Sequence, residues 1–207
     1  MLTLRFVKLL VVVMSALVLA VLTLPASRAS AAELGTTGDA PRLCADAEGT
    51  EALTACILRL RQPLWDTSSP FGATTQLGQT FLAPKTSRVC KVQALLVKGA
   101  ANNGPLIMRV ETLGGAALDV AVAPAGPLPI GVPTWVTFNF NCDGGVLVGG
   151  NPYRLVLSAP QSPVMFKWLR HNGSIIPGQA LSRVLPGAFA PVLPLDSDFT
   201  FHLYMCS

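Results

Sequence analysis

Hydrophobic and polar residues alternate most regularly in two short stretches, "WVTFNF" and "DFTFHLY". In the first, Val136, Phe138 and Phe140 fall on one side of an extended chain, and Trp135, Thr137 and Asn139 on the other. In the second, Phe199, Phe201 and Leu203 oppose Thr200, His202 and Tyr204, which makes His202 a surface residue. A period of two is the signature of a strand with one buried face. The same test predicts strands over Gln79–Leu82, Val89–Val97, Leu106–Thr112, Leu118–Val122, Tyr153–Ser158, Val164–Leu169 and Ala180–Val184. They are separated by Gly, Pro and Asn, in connections mostly too short for crossover helices, which implies antiparallel pairing. So many half-apolar strands need a second layer to cover their inward faces. The predicted fold is therefore all-β: an antiparallel two-sheet β-sandwich of jelly-roll type.

The pattern changes before Pro70. Thr50 is placed to cap a helix, Leu53, Ile57 and Leu60 recur at helical spacing, and Pro63 ends the run, so a short amphipathic helix is predicted over Thr50–Gln62. Residues 32–42 carry no periodicity and read as a loose leader. At the start, Arg5 and Lys8 precede an apolar run of sixteen residues from Leu9 to Leu24, followed by Pro25 and the small residues Ala29, Ser30 and Ala31. A bilayer crossing takes roughly 20 residues, so the segment reads as a signal peptide cleaved after Ala31. The expected organisation is a signal peptide over 1–31, a leader with a short helix over 32–70, and a β-sandwich domain over 71–207. The expected location is secreted or extracellular, with cell surface or periplasm as alternatives, and membrane contact confined to the signal segment before cleavage.

Cleavage changes the meaning of the charge. Arg5, Lys8 and Arg28 leave with the signal and no acid does, so the formal charge falls from +4 to +1. The pI of about 9.0 is thus partly a property of the export segment. The remaining chain has no basic excess to drive counterion release, and nucleic acid is excluded as a partner. The five cysteines of an exported chain are disulfide candidates, and an odd count leaves one over. Cys44 and Cys56 bracket a short segment and are placed to close it. If the strands run alternately up and down, Cys90, Cys142 and Cys206 gather at one end of the sandwich, where Cys90 with Cys142 is favoured over Cys90 with Cys206. No C-x-x-C pair exists, so neither a redox motif nor a thiolate zinc site is indicated.

The stretches "LGQTFLAP", "VCKVQALLVKG", "WVTFNF", "GGNPYRLVLSA", "FKWLRHNG", "PGQALSR" and "SDFTFHLY" together resemble exported bacterial β-sandwich modules of the choice-of-anchor and carbohydrate-binding-like kind. The resemblance runs from about Gln76 to Tyr204. It rests on Gly78 to Phe81, Trp135, Gly150 with Tyr153, Trp168, and Asp198 to Phe201, each of which marks a turn or a buried ring. The chain departs from that pattern in lacking an evident C-terminal sorting segment and in carrying three cysteines within the domain. What the resemblance implies is an extracellular module that binds glycans or supports adhesion, without a common catalytic apparatus.

The candidate chemistry agrees with a non-enzymatic role. There is no Gly-x-Ser-x-Gly elbow, and a triad from His171, Asp196 and a serine has no more support than in any serine-rich chain. Asp196 and Asp198 form a close acidic pair that would share one face of a strand edge, which gives glycoside cleavage no better support. They are weak calcium candidates, with Asp143 or backbone carbonyls completing the shell, set against an ordinary capped turn; no other cofactor is expected. In "MFKWLRHNG", alternation puts Phe166 and Trp168 in the core, while Arg170, His171 and Asn172 reach the rim before Gly173 turns the chain. That rim offers hydrogen bonds to sugar hydroxyls, with Trp135 or Tyr204 as a flat apolar surface nearby. Asn172, Gly173 and Ser174 also match an N-glycosylation acceptor, meaningful only in a eukaryotic secretory pathway. The expected ligand-binding set is therefore Trp135, Arg170, His171, Asn172 and Tyr204. The expected function is a non-catalytic glycan-binding or surface-interaction module. Its alternatives are a structural or envelope-associated domain that binds another surface protein, through a sheet edge or the odd cysteine, and an unrecognised secreted hydrolase.

Overall fold

The computed structural model describes residues 43–45, 51–53, 55–101, 104–141, 144–162 and 165–207. The predicted signal peptide and residues 32–54 of the predicted leader, apart from those two three-residue pieces of backbone, lie outside them. Within the described residues every regular element is a β-strand. β1 (Leu43–Ala45) and β2 (Glu51–Leu53) pair with each other in a small antiparallel ladder. The body is two antiparallel sheets.

The first sheet is built around β6 (Val89–Lys98). On one side lies β9 (Thr134–Asn139), and on the other β15 (Phe201–Cys206), itself flanked by β3 (Cys56–Gln62). β11 (Phe166–Asn172) pairs with the last residues of β6 and is bordered by β4 (Thr67–Phe71) and β14 (Ser197–Phe199). The second sheet has the order β13 (Ala190–Pro191), β12 (Ala180–Val184), β5 (Thr75–Leu82), β10 (Pro152–Ser158), β7 (Pro105–Thr112), β8 (Ala117–Pro124). We call these the β6 sheet and the β10 sheet. From β4 onward the chain crosses between sheets at most connections, the winding of a jelly-roll-type sandwich.

Alternation places the core as predicted. Val136, Phe138 and Phe140 from one edge, and Phe199, Phe201 and Leu203 from the last strands, are buried between the sheets with Leu77, Phe81, Met108, Leu155 and Leu157 opposite them. Trp168 is wholly buried, stacks on Phe199 at 4.4 Å between ring centroids, and donates its indole N–H to the Thr200 carbonyl at 2.9 Å. A buried tryptophan needs a partner for that donor, and the irregular residue between β14 and β15 supplies it.

The helix predicted over Thr50–Gln62 does not form across its described part: Cys56–Gln62 is a strand. Leu53, Ile57 and Leu60 have helical spacing, but the exposed edge of β15 offers a complete set of backbone partners, and long-range pairing overrides local preference. A register shift between Leu203 and Tyr204 lets the two strands pair around Arg59. Ile57 and Leu58 are left 38% and 40% exposed, while Gln62 takes the inward position.

The strand also decides the cystine. Cys56 lies beside the start of β6 and bonds to Cys90, with Cα atoms 6.0 Å apart. This replaces both the Cys44–Cys56 and the Cys90–Cys142 pairings. The error follows from the helix, which would have carried Cys56 away from the β6 sheet. Cys206 stands in register with Cys56 and packs with Cys90 in a small cluster covered by Tyr204. Burial pushes the Cys206 thiol up from its ordinary pKa. The side chains of Cys44 and Cys142 lie outside the described residues.

Candidate functional site

The predicted ligand set divides between two places. Trp135 and Tyr204 belong to the outer face of the β6 sheet. On that face β6 contributes Lys91, Gln93 and Leu95, β9 contributes Asn139, Thr137 and Trp135 in register with them, and β15 contributes Tyr204 and His202. Because strand side chains alternate, burying Phe138 and Leu203 forces their neighbours outward into one row.

His202 joins the two predicted aromatics. Its imidazole stacks on the Trp135 indole with centroids 4.3 Å apart and planes 22° from parallel, and meets Tyr204 edge-on at 6.5 Å. Lys91 Nζ lies 4.1 Å from the centre of the Tyr204 ring, a cation over an aromatic face. Gln93 organises the polar edge: its amide nitrogen donates to Thr137 Oγ1 at 3.3 Å, and its oxygen accepts the Tyr204 hydroxyl at 2.8 Å. The same oxygen lies 3.3 Å from His202 Nδ1, which fixes Nδ1 as the protonated nitrogen of the neutral ring. Burial, followed by the charges of Arg61 and Lys91, lowers the pKa of His202 to about 4. Near neutral pH the group is thus an uncharged stack of three rings edged by an amide and cations.

Sequence reasoning found the outer two rings and set His202 apart as a lone surface histidine. The signal was present: Trp135, His202 and Tyr204 share outward parity. What was missing was the register, which depends on β6 lying between β9 and β15.

Arg170, His171 and Asn172 stand on β11 instead. Arg170 is not a free rim residue. It has the parity of Phe166 and Trp168, is 9% exposed, and donates to Ser69 Oγ, Asn172 Oδ1, Ser197 Oγ and the Leu193 carbonyl at 2.6 to 3.1 Å. Its guanidinium clamps β4, β11, β14 and the segment before β14. Burial pushes its pKa below the usual arginine value, with Asp66 acting in the opposite sense. His171 Nδ1 lies 3.1 Å from Asp66 Oδ2, and Asp66 also accepts from the Asn172 backbone N–H. The acid that meets His171 is therefore Asp66 and not Asp196, whose backbone carbonyl accepts from Gly173.

The acidic pair is split as well. Asp196 is exposed, whereas Asp198 is wholly buried between the sheets. One oxygen of Asp198 accepts from Gln79 Nε2 at 2.8 Å, and the other faces the Ser174 hydroxyl and the N–H groups of Ile175 and Ile176 at 2.9 to 3.3 Å. A carboxylate surrounded by donors is doing the work of an anchor, since a calcium site needs its oxygens turned to the ion. Among the described residues no group of three or more His, Cys, Asp or Glu stands together.

No protein-family model matches the chain, and no curated protein matches it. The reading of function rests on the residues themselves.

Proposed function

We propose that this chain is an exported, non-catalytic binding module that holds a glycan against the outer face of the β6 sheet. The observation that carries the reading is the Trp135, His202 and Tyr204 group, edged by Gln93 and Lys91. A sugar ring has an apolar face of C–H groups and a rim of hydroxyls, and a flat aromatic surface with adjacent amide and ammonium groups matches both. The likeness to carbohydrate-binding-like sandwich modules supports the same reading, and the Cys56–Cys90 disulfide agrees with an oxidising compartment.

The test is a glycan-array screen of the processed protein followed by calorimetric titration of any hit. Trp135→Ala and Tyr204→Ala should each weaken binding by about tenfold or more, equivalent to about 1.4 kcal/mol. Absence of saturable binding to any glycan, or binding indifferent to both substitutions, overturns the reading. A protein-binding role is the second reading. It draws on four exposed apolar side chains between β12 and β14, namely Val184, Leu185, Leu193 and Leu195, at 66%, 40%, 72% and 61% exposure. Capture of a protein partner abolished by Leu193→Ser with Leu195→Ser, and untouched by Trp135→Ala, would favour it.

A further inference from the structure

The outer face of the β10 sheet carries a second constellation, made of residues far apart in the chain. Arg183 on β12 pairs in register with Gln76 on β5, and Arg154 on β10 with Glu111 on β7. Glu111 Oε1 accepts from Arg109 Nε and its Oε2 from Arg154 Nη2, both at 2.8 Å. Gln76 Oε1 accepts from Arg183 Nε at 2.8 Å, Arg183 Nη2 at 2.6 Å and Arg109 Nη2 at 3.2 Å. Phe189, in the turn between β12 and β13, has two guanidinium carbons against its ring, Arg154 Cζ at 4.1 Å and Arg183 Cζ at 4.3 Å from its centroid. Gly78 makes room for this: a Cβ there would come within 3.1 Å of both Arg154 Cδ and Phe189 Cε1.

The charges do not balance. Among the described residues three guanidiniums face one carboxylate, leaving two positive charges in excess on a single patch of sheet. The hydrogen bonds do not balance either. Among the described residues the acceptors are one carboxylate and one amide oxygen, and they take up Nε and Nη2 of Arg109 and Arg183 and only Nη2 of Arg154. Nη1 of all three has no protein acceptor among the described residues. Arg154 Nε is buried without one, in a residue only 6% exposed. A buried cationic donor with no acceptor is costly, and surplus donors that converge on one place are satisfied best by an oxyanion. Glu111 is held below its ordinary pKa by Arg154 and Arg109 against the opposing effect of burial, so it does not relieve the excess by taking a proton near neutrality. Arg109 and Arg183 remain partly exposed, which leaves the patch open to solution.

We propose that Arg109, Arg154 and Arg183, arranged around Phe189, form a binding site for an oxyanion group, a carboxylate or sulfate. Its bidentate edge would be met by guanidinium forks already fixed in position by Glu111, Gln76 and the phenyl ring. The shared chemistry has two sources, a free small anion or an acidic group carried on a sugar. This site is on the opposite outer face from Trp135 and does not depend on the glycan reading.

The test uses the full processed protein with inorganic sulfate, glucuronate, an oligogalacturonate and a neutral oligosaccharide of equal length, followed by calorimetry and by thermal unfolding. At least one of the anionic probes should bind saturably and raise Tm with concentration. Arg183→Gln, at a partly exposed position, should weaken that binding at least tenfold, and added salt should weaken it further. Trp135→Ala should leave it unchanged. Binding of sulfate and glucuronate as tight as that of the oligogalacturonate supports the site and assigns it to free anions; preference for the oligomer supports it and assigns it to acidic glycans. No saturable binding of any anion, equal binding of the neutral oligosaccharide, or anion binding unaffected by both Arg183→Gln and Phe189→Leu overturns the proposal.

Discussion

The two outer faces of this sandwich solve the same problem with opposite chemistry. Both consist of the residues that alternation turns away from a common core. On the β6 sheet the row closes through ring contacts, with His202 kept uncharged between Trp135 and Tyr204. On the β10 sheet it closes through charge, with Glu111 and Gln76 shared among three arginines, two of which meet the Phe189 ring. The difference lies in what each arrangement leaves over. The aromatic face gathers its polar groups on Gln93 and leaves the buried Nε2 of the neutral His202 ring, an acceptor, without a partner, whereas the arginine face leaves over cationic donors among the described residues. A folded core fixes where outward residues stand, and their chemistry decides whether the face is complete.

A large effect expected from breaking this contrast is on the arginine face. Arg154→Met leaves the buried Glu111 with one cation in place of two, and chemical denaturation should show a loss of about 3 kcal/mol. Adding Glu111→Leu should recover at least half of it, because the stranded charge is then gone. A loss unaffected by the second change would show that Arg154 acts through packing alone.

Opening the Cys56–Cys90 bridge should have an effect at least as large. The sequence separation is 34 residues, and a closure of that size stabilises by about 4 kcal/mol in the chain-entropy account. Denaturant midpoints of Cys56→Ser with Cys90→Ser against the oxidised protein measure it. The aromatic face, being next to this bridge through Tyr204, should loosen more than the arginine face does.

A pH titration sharpens the contrast without mutation. His202 titrates at about 4 when folded and near 6.5 when unfolded, so between these values the unfolded chain binds the extra proton. Its contribution to stability is fully present above about 6.5, falls as pH drops towards 4, and changes no further below that. His202→Gln should flatten this part of the curve while leaving the arginine face unaltered. An unchanged curve would mean that another group carries the dependence. The smallest effects belong to Trp135→Ala and Arg183→Gln: each should cost about 1 kcal/mol or less in stability, consistent with partly exposed positions. Each should act on its own ligand and not on the other's.

Much of the fold was legible in the sequence, because period two survives wherever one face of a strand is buried. Val136, Phe138 and Phe140, Phe199, Phe201 and Leu203, and the buried Trp168 all follow from it. The segment ending at Gln62 was misread because Leu53, Ile57 and Leu60 fit a helix equally well, and only the presence of β15 beside it selects the strand. Arg170 was misplaced for a related reason. Parity put it on the side of Phe166 and Trp168, and its charge argued for the rim, whereas Ser69, Asn172 and Ser197 supply enough acceptors to bury it. Of the aromatic site, Trp135 and Tyr204 were legible as outward rings. The arginine face was not, since Gln76, Arg109, Glu111, Arg154 and Arg183 come from four strands whose neighbours in space are distant in the chain. Side-chain direction can be read from one strand; adjacency cannot.

The position of β15 has a consequence for assembly. Residues 201–206 lie between β6 and β3, so an inner rung of the sheet comes from the far end of the sequence while both of its neighbours come from the first half. Contacts of such long range are slow to form, so closing the β6 sheet depends on pairing residues 201–206 with both neighbours at once. The Cys56–Cys90 bridge ties those two neighbours directly to each other.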